Sequence, residues 1–349
     1  MNANAREVET ALDITAAAIR EKDRRRLFLR GGALVAGLAV VIVVVNAFTH
    51  GDFLTAGNLT NVLRQITYNE ILAIGQTFVI ITGGIDLSVG SLIQLSGVLM
   101  ATFANAMPFD GVPLVIATLA VGAGAGALAG FVNAVPVVRL NLPPFITTLA
   151  MMLMARGLAF KIAHGQPVPL RSDAFTTLGT GYVLRGLFGS GFPGIPIVVL
   201  GMVALVVVFG VLLARTRFGR YVYALGGNEE AARLAGIDTR AVKTLVYVIS
   251  GACAGIAGLL LMARFSSGSP NTGVGFELQS IAAVVVGGTS LAGGRGAIVG
   301  TFLGALLIGV LNNVMNLLGI ESYTQEIVLG AVILVAVIID ELRKRYLAA

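Results

Sequence analysis

Long apolar runs recur along the chain, parted by shorter polar stretches. A helix needs about 20 apolar residues to cross the hydrocarbon of a bilayer. Ten runs approach that length, at roughly 32–48, 61–82, 87–106, 112–135, 143–163, 196–214, 242–263, 275–291, 296–318 and 323–341. Pro143, Pro144 and Pro196 stand at the starts of runs, where a missing N–H costs a helix little. The pattern predicts an all-α polytopic membrane protein of about ten transmembrane helices. Its transmembrane domain would cover 31–342, between a cytoplasmic segment 1–30 and a cytoplasmic tail 343–349. In the first segment "VETALDITAAAIREK" can form a helix. The run Ala33–Phe48 exceeds the apolar core of a signal peptide and reads as a retained first span, although "VNA" at Val45–Ala47 loosely resembles a cleavage site. Residues 164–195 carry the turn-rich stretches "HGQPVP" and "FGSGFPGIP" and are expected to form the largest periplasmic loop.

One interruption stands out. "ITGGIDLSVGS", Ile81–Ser91, sets two glycines, an aspartate and two serines between apolar runs. A carboxylate deep in a membrane helix costs about 2.5–3.5 kcal/mol on insertion scales, and Gly-Gly is a poor helix former. Gly83-Gly84 therefore reads as a break between two helices, with Asp86 or Ser88 capping the second by accepting from its free N–H groups. Two readings of the break remain open. It is a short turn near the cytoplasmic surface, or a broken segment lining a polar path, since non-helical backbone at depth is tolerated where protein or water surrounds it. A second stretch, "GGTSLAGGR" at Gly287–Arg295, matches "GGIDLSVGS" at four of nine positions. Transporters are often built from repeats, but in a Gly-rich chain such a match is cheap.

Composition agrees with a membrane protein. The chain of 349 residues is 56% hydrophobic and 12% charged, with mean hydropathy +0.89, whereas a soluble domain carries about 25% charge. Glycine is spread through the apolar runs, and the spacings Gly122–Gly126–Gly130, Gly251–Gly255 and Gly296–Gly300–Gly304 suit close helix packing in lipid. The net charge of +6 invites a nucleic-acid reading, but its placement excludes one. With ten spans, eighteen of the 24 basic residues fall on the side that holds both termini. The positive-inside rule then puts both termini in the cytoplasm.

Enzymatic chemistry finds no support in the sequence. There is no G-x-x-x-x-G-K-[ST] phosphate loop, and no lysine follows a glycine. The two histidines, His50 and His164, fall near the outer surface, and no G-x-S-x-G elbow occurs. Cys253 lies alone in an apolar run and reads as a small buried residue. No metal site and no cofactor are expected.

The cytoplasmic loop 215–243 holds the second constellation, "RTRFGRYVYALGGNEEAARLAGIDTRAVK". Asn228 is placed to cap a helix, Glu229 and Glu230 suit its first turn, and Gly236 suits its stop. The resulting two-turn helix, Glu229–Ala235, is too short to stand alone, so something should pack on it; the alternative is a solvated loop. Polar residues also occur inside the apolar runs: Asn69, Glu70, Gln76, Gln94, Asn133, Gln279, Asn312, Asn313, Asn316, Gln325 and Glu326. Each either bonds a neighbouring helix or faces a hydrated pathway, and the intramembrane acids are the stronger functional candidates.

Over about residues 57–341 the chain resembles the permease subunits of bacterial ABC sugar importers of the ribose/monosaccharide type. The stretches that carry the resemblance are "GQTFVIITGGIDLSVGS", "NLPPFITTLAMMLMARGLAF", "RFGRYVYALGGNEEAARLAGI" and "SIAAVVVGGTSLAGGRGAIVGTFLGALLIG". Glu230-Ala231-Ala232 with Gly236 also fits the EAA…G pattern of ABC import permeases, though the Leu-Pro pair of its longer form is absent. In "NAVPVV", Ala134 stands where relatives often carry Gly.

The resemblance implies a permease that forms the translocation path for a monosaccharide, a ribose-like pentose, hexose or related polyol, delivered by a periplasmic binding protein. Its implied partners are a second permease copy or paralogue, a separate cytoplasmic ATPase, a periplasmic sugar-binding protein and the lipid bilayer. Asn228, Glu229, Glu230, Ala231, Ala232, Leu234 and Gly236 would then form the ATPase-coupling helix. Gly83, Gly84, Asp86 and Ser88, with Glu70, Asn133 and Asn312, are the candidates for the translocation path or gate. The rival reading is an ion-coupled secondary transporter with Asp86, Glu70 and Glu326 at its midplane, but such a protein has no ATPase to dock.

Overall fold

The computed structural model describes residues 36–37, 39–49, 51–186 and 194–348. The segment 1–30, with its expected helix, lies outside them, and so do the side chains of the tail 343–349. The chain divides into two compact units, Met1–Gly51 and Asp52–Ala349. In the first, the described residues form the short apolar helix α1 (Ala39–Phe48).

The second unit is a helical bundle. In chain order it holds α2 (Ala56–Ile81), α3 (Val89–Ala106), α4 (Val112–Arg139), α5 (Pro144–Ile162), α6 (Asp173–Thr180), α7 (Ile197–Arg215), α8 (Arg217–Gly227), α9 (Glu229–Leu234), α10 (Thr239–Phe265), α11 (Phe276–Val286), α12 (Ile298–Leu317) and α13 (Ser322–Ala348). Among the described helices, α3, α4, α5, α7, α10, α12 and α13 are long and apolar enough to cross a membrane.

The remaining runs refine the count of ten. Of the run 32–48, the described residues give only the ten-residue α1. The run 275–291 yields the 11-residue α11; that is about 16 Å of helix, half of what a bilayer requires. Gly288, with φ +90°, turns the chain out of the helix, and the end of α11 meets α12 backbone to backbone, where a side chain on Gly287 would lie 2.3 Å from the Gly300 carbonyl oxygen. Helix α2 has the length to span, with 26 residues, but it carries too many polar groups for a lipid-facing helix. It sits at the centre instead, packed against α7, α10, α11 and α12. Every residue from Ile66 to Ile81 is buried.

Close contacts in this bundle are made by backbone. A Cβ on Gly126 of α4 would lie 2.0 Å from the Gly251 carbonyl oxygen of α10. Gly130 approaches the Tyr247 carbonyl and Gly255 the Gly122 carbonyl at 2.1 Å in the same sense. The GxxxG stripes of these two helices thus lie against each other, where dispersion over a long seam replaces the absent hydrophobic drive. Outward faces are the reverse. Val203, Val207, Val208 and Val211 of α7 and Leu334, Val335, Ile338 and Ile339 of α13 are exposed. A continuous apolar surface of this kind suits hydrocarbon rather than water.

The stretch 164–195 is structured over its described part. Val168–Pro169 (β1) pairs antiparallel with Ser267–Gly268 (β4), and Tyr182–Val183 (β2) with Ile195–Pro196 (β3). Helix α6 packs on α10, and Arg64 donates to the Thr180 carbonyl at 2.7 Å while lying over the Tyr182 ring.

Candidate functional site

Two regions at opposite ends of the bundle carry the candidate chemistry. At one end, the chain leaves α7 and makes two short helices before α10. Thr216 caps α8 by accepting from Gly219 N–H at 3.2 Å, and Asp238 caps α10 by accepting from Ala241 N–H at 3.0 Å. Between them, Asn228 takes extended backbone and its Oδ1 accepts from Ala231 N–H at 2.9 Å. Gly236 closes α9 with φ +82°. Ile237 N–H bonds the Ala232 carbonyl and Gly236 N–H the Arg233 carbonyl, the paired bonds of a left-handed helix stop.

Lys243 ties the start of α9 to α10 through Glu229 at 2.6 Å, and Arg233 pairs with Glu230 at 3.8 Å on the open face. Ala232 turns inward and is buried, whereas Ala231 and Ala235 are exposed and Leu234 is 81% exposed. Of the residues expected to contact a partner, Ala232 therefore anchors α9 to its own chain. Leu234 is the apolar side chain presented outward.

Helix α8 joins this module to the membrane core. Phe218 stacks on Phe78 of α2 at 6.0 Å between centroids, and the Tyr223 hydroxyl donates to the Gly296 carbonyl at 2.7 Å. At its C-terminal end the contact becomes bare backbone. A Cβ on Gly226 would stand 1.7 Å from the Ile81 carbonyl oxygen and 2.6 Å from the Gly294 nitrogen. Gly294 N–H donates to that same Ile81 carbonyl at 2.8 Å. The two Gly-rich stretches noted in the sequence therefore meet, and α8 lies on their junction.

The break between α2 and α3 is a tightly bonded knot. Gly83 takes φ +79°, and a side chain on Gly84 would strike the Tyr247 hydroxyl at 2.6 Å. Asp86 is wholly buried. Its Oδ1 accepts from Ser88 N–H at 3.0 Å and from the Ser88 hydroxyl at 2.6 Å, and its Oδ2 from the Ser250 hydroxyl at 2.8 Å. Asn133 donates to the Ser88 hydroxyl at 2.9 Å, the Gln76 amide donates to the Asp86 carbonyl, and Thr148 donates to the Ile85 carbonyl at 3.2 Å. A buried carboxylate needs such donors. Neither Asp86 nor Ser88 caps α3 itself: Asp86 accepts from the N–H of Ser88, the residue before the helix, and the Ser88 side chain makes no capping bond. Gly84, Asp86, Ser88 and Asn133 are thus brought together in packed protein drawn from α2, α4, α5 and α10, whereas Gly83 sits at its exposed edge.

The open space lies at the other end. A cavity of about 510 Å³ is walled by the parts of α2, α10, α11 and α12 remote from α9. Its lining is rich in amides: Asn58, Asn61, Gln65 and Asn69 from α2, Gln279 from α11, Asn313 and Asn316 from α12. Asn58 and Asn313 exchange two amide hydrogen bonds of 2.9 and 2.8 Å. Tyr68, Arg264, Phe265 and Phe276 add rings and one cation. Helix α10 starts just after α9, so its far end, which borders the cavity, is the end away from the α8–α9 module. Below Asn69, the unbroken burial of α2 from Glu70 to Ile81 closes the space toward that module.

Neither Glu70 nor Asn312 lines this cavity, although each adjoins a residue that does. Glu70 is fully buried and neither carboxylate oxygen has a hydrogen-bond partner. The cavity had a signature in the sequence. Asn58, Asn61, Gln65 and Asn69 recur at steps of three, four and four, one face of a helix.

Comparison with known proteins decides the family. The family model described as "Branched-chain amino acid transport system / permease component" matches residues 58–337. The chain belongs to this permease family. It is 46% identical over 306 residues to the ribose import permease protein RbsC of Escherichia coli (strain K12), covering 87% of this chain and 91% of that protein. It is 38% identical over 311 residues to the L-arabinose ABC transporter permease protein AraH of Azospirillum brasilense, covering 88% of each. The D-allose transport system permease protein AlsC of Escherichia coli (strain K12) is 35% identical over 305 residues, 87% of this chain and 90% of the relative. No solved structure matches the chain.

Proposed function

We propose that this chain is the membrane-spanning permease subunit of an ATP-binding-cassette importer for a monosaccharide, a ribose-like pentose, a hexose or a related polyol. Relatives aligned over about nine-tenths of their length are named for ribose, arabinose and allose, which supports the substrate class. The observation that carries the mechanism is the docking of α8 on the junction of Ile81 and Gly294, immediately before the exposed helix α9.

On this reading both termini are cytoplasmic, residues 164–195 face the periplasm, and α9 enters a groove of a separate ATPase through Leu234, Ala231 and Ala235. Glu229, Glu230 and Arg233 meet its rim. A periplasmic binding protein delivers the sugar to the opposite end, and a second permease copy or paralogue completes the core. The Gly83–Ser88 knot, with Asn133, serves as the pivot of the gate. The ion-coupled alternative is weaker, because a midplane carboxylate that takes part in ion exchange needs a hydrated face, whereas Asp86 is enclosed by its donors.

The experiment is coupled transport by the complete importer in proteoliposomes carrying Ala231→Glu or Gly236→Val. The first puts a charge on the docking face. The second places a β-branched residue at φ +82°, at a cost of about 1–3 kcal/mol of local strain. Both variants should insert and meet the binding protein yet lose sugar-stimulated ATP hydrolysis and uptake. Full coupled transport by both would overturn the assignment of α9.

A further inference from the structure

We propose that the outer cavity is a sugar-binding site of the permease itself, with the neutral hydroxyls of a monosaccharide as its ligand groups. This rests on the sugar reading above and adds a site to it.

The lining sets the ligand chemistry. An amide offers a donor and an acceptor side by side in one plane, and a sugar hydroxyl is likewise both. Asn61, Gln65, Asn69 and Gln279 converge on the cavity from two helices. Among the described residues no carboxylate lines it, and the one lining cation, Arg264, lies over the Tyr68 ring, so a metal or organic cation has no counter-charge there. Phe276 and Tyr68 supply apolar faces, the usual companions of a few placed polar groups in small-molecule pockets. The volume, about 510 Å³, falls within the range of about 300–1,000 Å³ for such pockets.

A second observation points to a ligand. Asn69 is only 7% exposed, yet its Oδ1 has no hydrogen-bond partner. Its Nδ2 reaches the Gln279 carbonyl at 3.5 Å, a long bond. Buried amide oxygens are normally satisfied, and this one, enclosed beside the cavity, becomes an acceptor for a sugar hydroxyl once the amide turns toward the open space. From Asn58 to Asn69 the cavity descends about 16 Å along α2, which brings its floor near mid-membrane, where transporter sites are built.

The test uses the complete importer. Asn61→Cys in a Cys253→Ala background is labelled from the outside with a thiosulfonate reagent, with D-ribose, L-arabinose, D-xylose, D-allose or L-leucine present at millimolar concentration. In parallel, Asn69→Leu and Gln279→Met are assayed for uptake of whichever sugar the native complex carries. The expected result is slowed labelling with the transported sugar and not with leucine. Uptake by each variant should fall about tenfold, since a site built to bond hydroxyls discriminates strongly when its polar groups change. Insertion and ATPase co-purification should be retained. Sugar uptake by the native complex with no protection of Asn61→Cys and normal uptake by both variants overturns the site alone. A native complex that imports none of the sugars overturns the substrate reading beneath it. Protection by leucine instead of sugar overturns the hydroxyl chemistry assigned to the cavity.

Discussion

The junction under α8 makes a demanding prediction at Gly226. Replacing it with alanine adds one methyl group, 1.7 Å from the Ile81 carbonyl oxygen and 2.6 Å from the Gly294 nitrogen. An unstrained carbon–oxygen contact is about 3.3 Å or longer, so the end of α8 must withdraw by about 1.6 Å, or the Ile81–Gly294 hydrogen bond must open. Both obstacles are backbone, which has no rotamer to change. Overpacking of this kind costs about 1–3 kcal/mol. Opening the hydrogen bond adds about 1 kcal/mol, or more where a group is left buried without a partner. Against this, alanine is a better helix former than glycine by about 1 kcal/mol. The net penalty on the docked arrangement is about 1–3 kcal/mol, which shifts a two-state balance at least about fivefold.

Helix α9 is untouched by this substitution, so the ATPase should still bind and hydrolyse ATP. Reconstituted Gly226→Ala importer is expected to show sugar taken up per ATP hydrolysed reduced at least about fivefold. Gly227→Ala is the internal control. A Cβ on Gly227 meets nothing within 4 Å, so that variant should transport normally. Equal coupling ratios for Gly226→Ala, Gly227→Ala and the native protein would refute the claim that force crosses this contact.

Three further outcomes follow from buried polar groups and caps. Asn228→Ala removes the acceptor for Ala231 N–H; the cap is worth about 1 kcal/mol, and ATPase co-purification should weaken and return with Asn228→Asp. Asp86→Leu leaves the Ser88 and Ser250 hydroxyls without their acceptor, at about 1–3 kcal/mol each, so the detergent-solubilised protein should melt several degrees lower, with Asp86→Asn intermediate. Glu70→Leu removes a carboxylate with no partner; thermal stability should hold or rise and uptake should persist, and loss of uptake with intact ATPase coupling would revive ion-coupled transport.

Much of this was legible in the chain because membrane helices advertise themselves by length and apolarity. Asn228 as a cap and Gly236 as a stop were legible too, since each answers a local backbone need. Helix α11 was not, because the apolar run 275–291 continues past Gly288, whose φ of +90° takes the chain out of the helix. The role of Asp86 was also hidden. Its partners Ser250 and Asn133 are distant in sequence, and only the close α4–α10 seam brings them to the break. The cavity was overlooked because its amides are spread over three helices, and the one run of four that betrays it starts before the apolar segment does.

The two candidate regions share one element. Helix α2 carries Asn58, Asn61, Gln65 and Asn69 on the cavity wall, and its last residue, Ile81, supplies the carbonyl on which Gly226 and Gly294 converge. It is unbroken between them, about 39 Å of helix, and its inner half is packed on all sides. A packed helix transmits displacement along its axis rather than absorbing it. On the proposed coupling, withdrawal of α8 from Ile81 is felt at Asn69 without any chain of side-chain rearrangements, through a single rigid body that both ends bias. The Gly83–Ser88 knot then has a physical purpose. It holds the inner end of α2 to α4, α5 and α10, so that the helix turns about a bonded point instead of sliding free.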